Sequence, residues 1–178
     1  MAKKKVKAKK APKKKKASAV PAGHHTVTPH LVLDDCAKAI DFYAKAFGAK
    51  EKMRMAGPDG KIGHAEIQVG DSRIMMNDEM PPMPGQPGVF KAPKAAGLAT
   101  SALFLYVKNV DAVFDRAVKA GCTVRSAPMD MFWGDRFAQV LDPFGHAWGL
   151  GTHIEDVSMK EMKRRQAEFF AKMQQGGG

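Results

Sequence analysis

A chain of 178 residues, 44% of them apolar, is long enough to bury one domain-sized core, and its two cysteines form no disulfide or metal-binding spacing. Net charge is +11, yet ten lysines fall within residues 1–16, and the 19 basic residues outside that segment nearly balance the 18 acids. The balance argues against a domain that binds polyanions over its own surface, and no apolar run is long enough to span a membrane.

Residues 1–23 alternate lysine runs with alanine and proline, cannot bury apolar surface and are expected to be disordered. Two readings of residues 1–16 stand side by side: loose, salt-sensitive contact with nucleic acid or another polyanion, or a solubilising extension. No apolar stretch of signal-peptide type follows the lysines, and Cys36 and Cys122 lack partners of motif spacing; both features point to the cytoplasm.

The folded part says nearly the same thing twice. His30-Leu-Val-Leu-Asp-Asp35 reads as a strand leading into a helix whose Ile40, Tyr43, Ala44 and Phe47 share one face. Asp34 or Asp35 is placed as its N-cap and Gly48 as its stop, and three strand-like runs follow. Residues 80–100 carry Pro81, Pro82, Pro84, Pro87 and Pro93 and read as a linker, either a plain crossover or a lid over a cleft. Leu103-Phe-Leu-Tyr-Val-Lys-Asn109 then opens the second copy, with Asn109 as N-cap, a stripe of Val110, Val113, Phe114 and Ala117, and a stop at Gly121. The expected architecture is α+β: two βαβββ modules, about 27–79 and 101–153, within a domain at 24–157, forming a curved mixed sheet with a concave ligand cleft. Residues 158–175 read as a C-terminal amphipathic helix with capping-box spacing at Ser158-Met-Lys-Glu161. Its stripe of Met159, Met162, Phe169, Phe170 and Met173 is expected to dock on its own domain or on a partner subunit.

With these motifs on the page, the chain resembles the vicinal oxygen chelate superfamily of glyoxalases, bleomycin-resistance proteins and extradiol dioxygenases, and within it the PhnB-like glyoxalase-like proteins. The resemblance rests on His30-Leu-Val-Leu-Asp-Asp, Ala39-Ile-Asp-Phe-Tyr, Phe47-Gly-Ala and His64-Ala-Glu-Ile in the first module. In the second it rests on Phe132-Trp-Gly-Asp-Arg136, Asp142-Pro-Phe-Gly-His-Ala-Trp148 and Thr152-His153. It implies a metal-centred cleft with one ligand from the first and one from the last strand of each module. Carried onto this chain, those positions hold His30, Met75, Phe104 and Gly149, of which His30 alone is a good ligand for a hard or borderline divalent cation. No resident metal is therefore expected; a divalent ion held by an altered set of His30, His64 and Glu66 is the alternative. The resemblance also implies a homodimer.

Strand register extends the site. A two-residue turn at Gly70-Asp71 sets Glu66 opposite Met75 and His64 opposite Asn77, which places all four on the cleft face. A four-residue turn at Asp142-Pro-Phe-Gly145 sets Ala138 opposite Gly149 and Arg136 opposite Gly151, which brings Arg136 into the cleft and turns Phe137, Trp148 and Leu150 to the core. A slip of one residue reverses every such assignment. The expected site is thus His30 and Glu66 for proton transfer, with His64, Met75, Asn77, Phe104, Trp133 and Arg136 lining the ligand. The bland readings are that Glu66 pairs with Arg136 and that His64, His146 and His153 are structural; His24 and His25 are assigned to a flexible leader. The reading of function is a protein that binds a small organic ligand without the usual metal. Its alternatives are a lyase, isomerase or dioxygenase with an altered metal set, and polyanion association through the tail.

Overall fold

In the computed structural model, which describes residues 18–81 and 90–175, the sequence repeat becomes two βαβββ modules of an α+β fold. The first comprises β1 (His30–Leu33), α1 (Cys36–Phe47), β2 (Lys50–Ala56), β3 (Ile62–Val69) and β4 (Ser72–Asp78). After a short linker helix α2 (Pro93–Ala96) come β5 (Ala102–Tyr106), α3 (Val110–Ala120), β6 (Thr123–Asp130), β7 (Asp135–Leu141), β8 (Ala147–His153) and the C-terminal helix α4 (Met159–Gln175). Each module is a four-stranded mixed sheet with the same order, β1-β4-β3-β2 and β5-β8-β7-β6, so β1 and β5 are both edge strands. The lysine-rich tail and the proline-rich centre of the linker lie outside the described residues.

The helices begin and end where side chains satisfy their orphan backbone groups. Asp35 caps α1 through the Lys38 amide and Asn109 caps α3 through the Ala112 amide, while Gly48 and Gly121 close the two C-termini. A second repeated device ties each helix start to the last strand of its module: Asp78 accepts from the Cys36 amide at 2.6 Å, and Thr152 Oγ1 from the Val110 amide at 2.8 Å. Both sheets turn one face to the helices. Leu31, Leu33, Ala65, Ile67, Ile74 and Met76 bury there in the first module, and Ala138, Val140, Trp148 and Leu150 in the second. No helix among the described residues packs against the other face of either sheet, which is called the open face below.

The two halves share one core. Helix α1 packs against α3, Tyr43 and Phe47 pack on Trp148 at 5.5 and 4.5 Å between ring centroids, and Phe42 meets Phe144 edge-on at 5.8 Å. Asp142, 3% exposed, is the polar centre of that junction. Its Oδ1 accepts from the amides of Phe144 and His146, each at 2.9 Å, and its Oδ2 from Tyr43 Oη at 2.7 Å and Trp148 Nε1 at 2.9 Å. The neighbouring His146 Nε2 lies 3.2 Å from the Val32 carbonyl of β1, a structural role in keeping with its sequence reading. The described part of the linker packs at this same end, with Lys94 on Asp34 and over the Phe144 ring. At the C-terminus Phe169 and Phe170 of α4 rest on Phe132, and Arg165 holds Glu155 through two bonds of 2.7 and 2.8 Å.

Replacing Asp142 by Ala would orphan four buried donors and is expected to cost about 3–5 kcal/mol in urea unfolding, against about 1–2 kcal/mol for Tyr43→Phe, which removes one donor. A loss under about 1 kcal/mol for the Ala variant would contradict this account of the junction.

Candidate functional site

The first hairpin has the expected register: Val69 lies opposite Ser72 and Glu66 opposite Met75. Alternation then sets His64, Glu66, Met75 and Asn77 on the open face of the first sheet, with Met53 and Met55 of β2 beside Glu66 and His64. Parallel pairing of β1 with β4 brings His30 level with Met75, and His30 Nε2 is hydrogen-bonded to Asn77 Oδ1.

Glu66 is the polar centre of this face, but its partners differ from those expected. Arg73 Nη1 donates to its Oε2 at 2.6 Å, and His64 Nε2 lies 3.4 Å from its Oε1. His24 Nε2 stands 3.3 Å from the same oxygen, off the hydrogen-bond direction. The leader is therefore not free here: the His24 side chain is only 8% exposed, neither of its ring nitrogens has a hydrogen-bond partner among the described residues, and Gly23 runs against the Arg73 guanidinium. Burial alone would raise the Glu66 pKa, but the His64 hydrogen bond and the charges of His24, Arg73 and His64 outweigh it and hold the carboxyl below its ordinary value. Glu66 is thus kept ionised and occupied. Arg73 was legible in principle, because it alternates with Met75 and Asn77; the folding-back of His24 left no periodic signal.

In the second module the register differs by one residue from the sequence reading. Asp142 donates its amide to the His146 carbonyl at 3.0 Å, so the loop spans residues 142–146, one residue longer than a four-residue turn. Gly149 consequently pairs with Gln139, Gly151 with Phe137, and His153 with Asp135. The faces exchange as the parity rule requires. Arg136 leaves the cleft and forks onto Asp111 of α3 at 2.7 Å through two nitrogens, with Asp130 at 2.9 Å, so its guanidinium meets neither Glu66 nor the open face. Phe137, assigned to the core from sequence, joins the open face instead, while Trp148 and Leu150 are core as expected.

That open face is an aromatic wall. Phe104 pairs with Gly149 and Tyr106 with Gly151. The Phe104 ring lies on Phe137 (5.7 Å, nearly parallel) and against Tyr106 (4.7 Å), and Trp133 meets Phe137 at 5.9 Å. The two glycines make room for it: a Cβ at residue 149 would come 2.8 Å from Phe104 Cδ2, and one at 151 within 2.8 Å of its Cε1. At one end of the wall sits Asp135, buried, receiving Tyr106 Oη at 3.0 Å, Trp133 Nε1 at 3.1 Å and His153 Nδ1 at 2.7 Å. The preceding Gly134, at φ +95°, lets the chain turn where any Cβ would lie 2.0 Å from the Glu155 carbonyl. Its own carbonyl receives the amides of Ile154 and Glu155, which fixes Asp135 beside His153.

Between the free edges of β1 and β5 lies a cavity of about 720 Å³, bounded also by the β3–β4 turn. His30, Arg73, Phe104 and Tyr106 line it. Of the residues chosen from sequence, the cavity brings together His30 and Phe104. His64, Glu66, Met75 and Asn77 lie on the adjoining face of the first sheet, Trp133 at the far side of the aromatic wall, and Arg136 on the helix side.

Two βαβββ modules packed through α1 and α3, with a cavity between the edge strands β1 and β5, define a glyoxalase-type fold. The chain belongs to the glyoxalase/bleomycin resistance protein/dioxygenase superfamily, whose family model matches residues 23–150. An uncharacterised Mycobacterium bovis protein is 47% identical over 137 residues, 77% of this chain and 89% of that protein. Among solved structures, TioX from Micromonospora superposes with a TM-score of 0.54 at 25% identity, covering 71% of this chain and 97% of that one. The PhnB protein of Bacillus cereus shares the fold at 14% identity, with a TM-score of 0.54 over 72% of this chain and 99% of that one.

Members of this superfamily that use a divalent metal raise the question whether this donor set fits one. It does not. The four positions hold His30, Met75, Phe104 and Gly149, with the Phe104 ring filling the space a side chain at 149 would need. In the altered set His30 is hydrogen-bonded to Asn77, and no three His, Cys, Asp or Glu side chains among the described residues stand close enough together to hold an ion.

Gly149→Ala should therefore cost about 1–3 kcal/mol from overpacking, and most of that cost should vanish in a Phe104→Ala background, as read by a double-mutant cycle in urea. Additive losses would show that the ring and the glycine are not in contact.

Proposed function

We propose that this protein binds a small organic ligand in the cavity between β1 and β5 and on the adjoining open faces, without the four-donor metal centre. The observation that carries the reading is the Phe104 ring packed over Gly149 and Gly151: apolar surface stands where a metal-using member would place a carboxylate. The cavity has the size of a small-molecule site and a mixed lining, aromatic on one side and with His30 and Arg73 on the other. Phe104 and Tyr106 are 48% and 63% exposed and adjoin each other and Phe137, so the exposure is a contiguous apolar patch. Where the ligand calls for proton transfer of lyase or isomerase type, the group for it is His30, oriented by Asn77, because the lowered pKa of Glu66 makes it a weak base and Arg73 and His64 occupy its oxygens.

The same apolar exposure favours a homodimer in the free state. The two buried, unpaired cysteines, whose thiol pKa values burial raises to about 12, suit a reducing compartment such as the cytoplasm. No helix among the described residues is long and apolar enough to cross a membrane.

The test is a thermal-shift screen of small aromatic and aliphatic acids and amides on protein stripped with EDTA. Saturating ligand should raise Tm by about 3 °C or more in the stripped protein, with the shift lost in Phe104→Ala. Shifts that appear only after a divalent metal is restored would overturn the reading.

A further inference from the structure

His153, at the end of the aromatic wall, is the most completely positioned imidazole among the described residues. Its Nδ1 meets Asp135 Oδ1 at 2.7 Å, and its Nε2 meets Asp156 Oδ1 at 3.0 Å. An ionised carboxylate only accepts hydrogen bonds, so a carboxylate on each ring nitrogen favours the doubly protonated imidazolium. Those two hydrogen bonds, Asp135 first, also raise its pKa above the ordinary histidine value. The two carboxylates are not equivalent. Asp135 is 5% exposed in its side chain and fixed by Tyr106 and Trp133, whereas the Asp156 side chain is fully exposed and, among the described residues, bonded to His153 alone. Asp135 therefore orients the ring, and Asp156 occupies its free corner weakly, as an exposed ion pair does.

Register sets this imidazole at the end of the aromatic wall. Gly149, Gly151 and His153 alternate along β8 on the open face, opposite Gln139, Phe137 and Asp135 of β7. Tyr106 joins the two features, since its ring lies 4.7 Å from Phe104 and its hydroxyl is bound to Asp135. It also lines both the main cavity and a hollow of about 520 Å³ bounded by Lys108 and His153. A flat apolar surface thus ends in a fixed cation with a second cation, Lys108, on the same hollow.

We propose that His153 anchors the acidic group of a flat aromatic ligand, an aryl carboxylate or its like, whose ring lies on Phe104, Tyr106 and Phe137. The ligand's carboxylate takes the position on Nε2 that Asp156 holds in the free protein. Asp156 is both the stand-in that shows this corner accepts a carboxylate and the competitor that a ligand displaces. Stacking supplies apolar contact, and the charge-assisted hydrogen bond supplies selection for an anion. The inference rests on the ligand-binding reading above and names the ligand's chemistry.

The experiment is a calorimetric titration of the full chain with naphthoate and, in parallel, with its uncharged amide, naphthamide. Wild type should prefer naphthoate; His153→Gln should bind it about tenfold more weakly while binding naphthamide unchanged. Because His153→Gln alters a partner of buried Asp135, a second variant at an exposed position guards against a folding artefact. Asp156→Asn removes the competitor and should tighten naphthoate about threefold with no effect on naphthamide. A naphthoate preference that survives His153→Gln, or an Asp156→Asn variant with wild-type affinity, overturns the anchor. Naphthamide binding that depends on Phe104 would still leave the ligand-binding reading standing. Failure of both probes to bind wild type overturns the anchor and counts against the wider reading too. Sedimentation beside the titration separates the remaining occupant: a dimer that dissociates in Tyr106→Ala, with neither probe bound, assigns the face to a second copy and overturns the proposal.

Discussion

The rest of the structure depends on the side chain of Asp142. One buried carboxylate closes a five-residue loop through the Phe144 and His146 amides and, with its other oxygen, holds Tyr43 of the first module and Trp148 of the second. The first action sets the β7–β8 register, and register decides which side chains face a ligand. The second fixes the two modules against each other, and with them the gap between β1 and β5. Site and junction therefore answer to the same group.

The two open faces, related by the repeat, have diverged in chemistry. On the first, Glu66 is surrounded by Arg73, His64 and His24, a cluster in which charge is satisfied internally. On the second, four aromatic rings form a wall that ends in an Asp135–His153 pair whose outer nitrogen is bonded to the exposed Asp156. A symmetric metal centre needs donors from both halves. Here Phe104 and Gly149 withdraw one half altogether, and the space is taken by a ring. The result is a cleft with one polar and one aromatic wall, suited to a ligand with a flat apolar part and a polar end.

Much of this was legible in the sequence, for physical reasons that can be named. Helix stripes, caps at Asp35 and Asn109, and stops at Gly48 and Gly121 are local signals, and they placed both modules. The Gly70-Asp71 turn has two residues and a fixed parity, so the faces of β3 and β4 followed from it. The Asp142 loop does not declare its length, because the fifth residue is recruited by side-chain bonds to backbone amides that no periodicity encodes; one residue then exchanged Arg136 for Phe137. His24 was missed because its neighbours are distant in sequence, and Asp135 because it was read as part of a family motif and not as the acceptor for Tyr106, Trp133 and His153.

The central claim is that an aromatic ring has replaced the metal centre in this cleft. Elemental analysis of the purified, untagged protein, beside His30→Ala, tests it most directly. The account predicts metal well below one equivalent per chain and no change on substitution. One equivalent of a divalent metal, lost when His30 is replaced, would contradict it.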